Sequence, residues 1–131
     1  MLNFSISELI FSKTALENNI NNIPDLKALD NILNLIFYCL QPVRNLIQKP
    51  MLITSGYRCK KLNDLVKGAK NSLHLSGCAV DFVVEGMKPG EIVNMISKSN
   101  IPFDELINEY DKWVHLSFVK NKNRYKLMKI N

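Results

Sequence analysis

The chain is 131 residues long, 47% hydrophobic and 22% charged, with a formal net charge of +5 at pH 7 and a pI near 9.2. That length suits one globular domain, and the apolar share is too high for a disordered chain. No stretch reaches the roughly eighteen unbroken apolar residues needed to cross a bilayer, so membrane insertion is not expected.

The opening Met1-Leu-Asn-Phe-Ser-Ile-Ser-Glu8 lacks the basic head and apolar core of a secretory signal. Synthesis in the cytoplasm is therefore expected, with release or carriage by other means for any role outside the membrane. Ser5, with Glu8 three residues on, predicts a short capped helix through Phe11. Asn18 to Asn22 reads as loop. Pro24-Asp25 then opens a long amphipathic helix on which Leu26, Leu29, Leu33, Ile36, Leu40, Val43 and Ile47 share one face. A scaffold helix packed on a sheet suits this length better than a coiled coil. Pro42 should kink or split it, because proline removes an internal hydrogen bond.

Pro50 to Ser55 predicts a short buried strand, broken by Gly56-Tyr57-Arg58. Cys59 to about Val66 is expected to be helical, and Lys67 to Gly77 a polar loop. Ala79 to Val84 forms a second, β-branched strand. Pro89 opens a helix with Ile92, Val93, Met95 and Ile96 inward. Glu105–Tyr110 and Trp113–Phe118 predict a hairpin around Asp111-Lys112. The Lys/Arg/Asn-rich residues 119–131 form a basic strand or tail.

The basic balance suits an anionic partner: nucleic acid, a membrane surface or an acidic polymer such as the bacterial cell wall. A nucleic-acid binder rests on charge alone and is not expected. Cys39, Cys59 and Cys78 form no CxxC pair and are odd in number, which argues against a disulfide scaffold or a cysteine zinc finger. Cys39 and Cys78 lie in apolar runs, as small core residues do.

The chain has two histidines. His115 shares a strand face with Trp113 and Ser117, a setting that a packed core histidine also occupies. Asp81 stands among Val80, Phe82, Val83 and Val84, where an uncompensated carboxylate costs several kcal/mol. Arginine, lysine, backbone amides or a metal could compensate it. His74, Asp81 and His115 together make an open zinc set, three protein ligands with the fourth position left for water; an Asp–His hydrogen bond in an ordinary core is the alternative. Hydrolysis at such a metal needs a base. Glu109 and Asp111 precede His115 by six and four residues. A three-residue loop at 111–113 sets Glu109 opposite His115, whereas a two-residue loop at 111–112 pairs it with Val114. Glu109 is preferred, with Asp111 as runner-up. Arg58, after a tight turn, and Ser72 could hold a substrate carboxylate or carbonyl, or could serve an ion pair and a turn cap.

Ser55-Gly-Tyr-Arg58, Asn63, Lys70-Asn-Ser72-Leu-His74-Leu-Ser-Gly77-Cys-Ala79-Val-Asp81 and Trp113-Val-His115-Leu-Ser117 occur in that order. The pattern resembles the zinc D-Ala-D-Ala carboxypeptidase family, which includes phage endolysins that cut L-Ala-D-Glu bonds and shares its fold with the hedgehog signalling domain. The likeness is to the small phage and prophage branch, SGYR…N…GG…SxHxxGxAxD…WVHxS, and runs from Phe4 to Phe118. The resemblance implies an α+β fold with a small central, mainly antiparallel sheet and a long N-terminal helix packed on it, in one zinc peptidase domain spanning residues 1–131. It implies one zinc ion on His74, Asp81 and His115, Arg58 and Ser72 on the substrate, and an acid just before the last histidine as base. The implied partner is a peptidoglycan stem peptide, cut by a monomer after release or from a phage particle. Lys67 replaces a customary glycine, Leu73 a common glutamine, and Lys112 stands where many members carry the acid. Glu109 matches the branch with a glutamate six residues back. These departures leave a second function open: a zinc-binding but inactive wall-binding or virion module.

Overall fold

The computed structural model describes residues 2–131. Two short helices open the chain, α1 (Ile6–Ile10) and α2 (Lys13–Glu17). Each is capped by a serine hydroxyl: Ser5 Oγ accepts from the Glu8 N–H and Ser12 Oγ from the Ala15 N–H. The second helix was not expected from the sequence. It follows the first after a two-residue break and has a single buried residue, Ala15, so its apolar period is too brief to read.

The expected long helix is a succession of three segments, α3 (Leu26–Leu35), a π-helical turn (Ile36–Leu40) and α4 (Gln41–Ile47). Asp25 caps the start by accepting from the Ala28 N–H. The π turn lies just before Pro42, where the Gln41 N–H reaches back to the Ile36 carbonyl. A wider turn accommodates the proline, which has no N–H to donate. It also inserts one residue into the helical repeat and so corrects the expected apolar face. From the turn onward the face holds, with Ile36, Leu40, Val43 and Ile47 buried. Before it, the buried residues are Ala28, Ile32 and Leu35, while Leu26 is 85% exposed and Leu33 points outward.

The sheet contains β1 (Leu52–Ser55), β2 (Ala79–Val83), β3 (Glu105–Glu109), β4 (Trp113–Ser117) and β5 (Lys126–Ile130), in the order β1-β2-β4-β3-β5. It is mixed: β1–β2, β2–β4 and β4–β3 run antiparallel, and β5 lies parallel to β3. The architecture is α+β. β1, expected to be buried, is an edge strand with Leu52 64% exposed. One face of the sheet supplies Val80, Phe82, Leu106, Val114 and Leu116 to the core. They pack with Ile32, Leu35, Leu40 and Val43 of the helical run and with Ile92 and Ile96 of α6 (Pro89–Ser97). Alternation along the strands sends Asp81, Glu105, Ile107, Glu109, Trp113 and His115 to the opposite face.

Between α5 (Lys60–Leu65) and β2, a 3-10 turn (Leu73–Ser76) carries His74. It ends at Gly77, whose φ is +78°. A Cβ there would lie 2.6 Å from the Ala28 carbonyl oxygen and 2.9 Å from Ile32 Cγ1. Gly77 thus serves two needs, a left-handed backbone and close approach to α3. Gly77→Ala is expected to lower stability by about 1–3 kcal/mol through strain and clash. Urea unfolding of the two proteins checks this; an unchanged midpoint would contradict it.

Candidate metal centre

Strand register builds the centre. Asp81 on β2 is flanked by His115 on β4 and by Ser55 on β1, so the three form one row across the sheet. The 3-10 turn adds His74 beside that row. Among the described residues, His74, Asp81 and His115 form a buried group with one ligand atom each, all within 4.8 Å of one another. Asp81 Oδ1 lies 3.0 Å from His115 Nδ1 and Oδ2 lies 3.4 Å from His74 Nε2.

The hydrogen bonds fix which imidazole nitrogens are free. His74 Nδ1 lies 2.7 Å from the Gly56 carbonyl. A carbonyl only accepts, so Nδ1 carries the proton and donates. Nε2 then presents its lone pair to the Asp81 carboxylate, and two acceptors at this range call for a proton or a cation between them. A divalent ion meets that need. The donor set of two imidazoles and one carboxylate is a zinc set with room for a further ligand, so the residues fit zinc. His115 faces carboxylates on both sides, since Nε2 lies 3.5 Å from Glu105 Oε1. With Nδ1 turned to a metal, Nε2–H has an acceptor waiting.

Burial alone would raise the Asp81 pKa, but the neighbouring imidazoles of His115 and His74 outweigh it and hold the carboxyl well below the usual range. Burial alone would lower His115, but hydrogen bonds to Asp81 and Glu105 push it up to about 9. Glu109 shifts upward, first by burial and then by the negative charge of Asp81.

Glu109, Arg58, Ser72 and Trp113 line the same cleft as the three ligand candidates. Glu109 pairs with Trp113, and Ile107 rather than Glu109 stands opposite His115. Both expected registers are therefore corrected. Tyr110 and Asp111 take left-handed conformations, φ +59° and +54°, and the Lys112 N–H closes the turn on the Glu109 carbonyl at 3.0 Å. Glu109 remains on the His115 face, one diagonal step away. Asp111 is not brought to the cleft: its carboxylate accepts from Asn108 Nδ2 at 2.8 Å and faces Lys129 Nζ at 3.7 Å.

Arg58 is held rigidly, with Nε on Ser55 Oγ and Nη1 on Asn63 Oδ1, each at 3.1 Å, and Nη2 3.5 Å from Asp81 Oδ2. Ser72 Oγ accepts from the His74 N–H at 3.2 Å, which leaves its hydroxyl proton free to donate. Trp113 Nε1 is the one buried side-chain polar atom without a partner among the described residues. Glu105 and Arg124, not expected from the sequence, also line the cleft. Glu105 shared a strand face with Glu109 and could have been found by alternation. Arg124 carried no signal, because its place depends on the parallel return of β5.

A family model described as Peptidase M15 matches residues 2–117. No curated protein matches the chain.

The His115 pKa in the folded, metal-free protein lies above its ordinary 6.5. Its ion pairs therefore stabilise the fold fully below about pH 6.5 and lose that contribution as the pH rises through about 9. Protein kept metal-free with a chelator is expected to unfold at lower urea concentration at pH 9 than at pH 6.5, and His115→Gln is expected to flatten that dependence. Equal pH dependence in the two proteins would contradict the assignment.

Proposed function

The chain belongs to the peptidase M15 family of metallopeptidases, and from that footing we propose that it is a zinc peptidase that hydrolyses peptidoglycan stem peptides at a bond flanking a D-residue. The observation that carries the reading is the convergence of His74, Asp81 and His115, with Glu109 and Arg58 on the same cleft. The basic balance of the chain favours docking to an anionic wall polymer.

His74 through Nε2, Asp81 through its carboxylate and His115 through Nδ1 would hold the ion. A zinc ion there supplies Lewis acidity and brings the acidity of a water towards neutrality. Glu109 is the base. Its raised pKa suits a group that takes a proton from the attacking water and returns it to the leaving amine. Arg58, immobilised by Ser55 and Asn63, presents a fixed positive charge to the oxyanion that develops on the scissile carbonyl. Ser72 keeps a hydroxyl proton for the substrate backbone. Asp111, tied to Asn108 and Lys129, plays no part in proton transfer.

Mass spectrometry of peptidoglycan digested by zinc-loaded protein tests the reading. A new stem-peptide terminus at a D-Ala-D-Ala or an L-Ala-D-Glu bond is expected, and the digest separates the two. Glu109→Gln is expected to lower kcat/KM by about 10²–10⁴-fold while one zinc per chain is retained. Asp111→Asn is expected to act as wild type. Walls left intact by zinc-loaded wild type would overturn the peptidase reading and leave a zinc-binding module, and full activity in Glu109→Gln would remove it as base.

A further inference from the structure

The family match ends at Ser117, yet residues beyond it reach the metal centre. After β4 the chain passes the end of β3 and returns as β5 along its outer edge, with the Lys126 N–H donating to the Asp104 carbonyl at 2.8 Å. Just before β5, Arg124, its side chain 56% exposed, reaches from the surface onto the buried Asp104.

Asp104 is 2% exposed. Arg124 satisfies its carboxylate almost completely: the backbone N–H and Nε both donate to Oδ1 at 3.0 Å, and Nη2 donates to Oδ2 at 2.8 Å. Such a two-pronged pair fixes the plane of the guanidinium. The same Nη2 lies 3.5 Å from Glu105 Oε2. Glu105 Oε1 in turn lies 3.5 Å from His115 Nε2. The Glu105 backbone is pinned as well, its N–H donating to Ser117 Oγ at 2.9 Å, while the Asp104 N–H donates to the Ser117 carbonyl at 2.8 Å. The result is a continuous chain of charged contacts, Asp104–Arg124–Glu105–His115, that starts at a buried anchor and ends on the nitrogen of His115 that points away from Asp81.

That arrangement suits a metal-binding histidine. A carboxylate on the far nitrogen selects the tautomer that leaves the near nitrogen's lone pair for the ion, fixes the ring plane and increases the ligand's basicity. Without Arg124, Glu105 would be a partly solvated side chain with several rotamers to choose from. With Arg124, one of its oxygens is engaged and the other is aimed at His115.

We infer that Glu105 is a positioning residue for His115, held in place by the Asp104–Arg124 pair, and that the segment 118–131 is thereby an integral part of the metal centre. The inference rests on the reading of His115 as a ligand, but not on hydrolysis.

Zinc affinity, measured by competition with a chromogenic chelator, reads it without any substrate. Glu105→Ala is expected to weaken zinc binding by about 10–100-fold, and Arg124→Ala to weaken it in the same direction by a smaller factor. Because Arg124 acts through Glu105, adding Arg124→Ala to Glu105→Ala is expected to cause no further loss; two independent structural roles would multiply instead. In zinc-loaded wild type, ¹⁵N-edited spectra are expected to show His115 protonated at Nε2, with that proton exchanging faster in Glu105→Ala. If the alanine variant does not fold, Glu105→Gln, which keeps the shape and loses the charge, takes its place, with a weaker loss of affinity expected. Wild-type affinity in the Glu105 variant, or multiplying losses in the double variant, would overturn the inference while leaving the peptidase reading intact. Wild type that binds no zinc would overturn both.

Discussion

A carboxylate on the strand next to the core is the constraint around which this molecule is arranged. Asp81 sits between Val80 and Phe82, both fully buried. Removing its charge from water costs several kcal/mol unless opposite charge and hydrogen bonds meet it there. Two imidazoles and a guanidinium do so, each from a different element: His115 from β4, His74 from the 3-10 turn and Arg58 from the turn after β1. None of these contacts survives a one-residue slip of β2 against its neighbours, because a slip would send Asp81 to the core face and Val80 or Phe82 to the cleft. The site and the register of the sheet therefore specify one another.

The rest of the fold holds that row still. The sheet separates its two faces cleanly, with apolar residues packed on the helical run and α6 on one side and the polar centre on the other. Gly77 lets the 3-10 turn press against α3, so that the turn carrying His74 is fixed by the core helix and its imidazole by the Gly56 carbonyl. The π turn before Pro42 serves the same end. It re-phases the helix, so that Ile32 and Leu35 before the turn, Leu40 at its end and Val43 beyond it all reach a single core.

The grouping of His74, Asp81 and His115 was legible in the chain, because a charged residue inside a β-branched run announces its own cost. Asp81 drew attention for that reason, and the two histidines followed because few other groups could answer it. The Ser5 cap was legible because capping is local. Non-local geometry was not. The apolar stripe of α3 was misplaced because a π turn leaves no mark in composition beyond the nearby proline. The hairpin register escaped because Tyr110, an aromatic residue that seldom does so, joins Asp111 in a left-handed conformation. Arg124 escaped because its partner Asp104 lies twenty residues away in sequence and the two meet only once β5 has paired with β3. Asp111 looked like a candidate base by spacing alone, but the turn directs its carboxylate to Asn108.

X-ray absorption at the zinc edge addresses the central claim most directly. If Asp81 is buried to hold a cation with His74 and His115, the first shell consists of nitrogen and oxygen scatterers at about 2.0–2.2 Å, with the multiple-scattering signature of two imidazoles. A sulfur shell near 2.3 Å, which would place the ion on a cysteine, or a spectrum without imidazole scattering would contradict it.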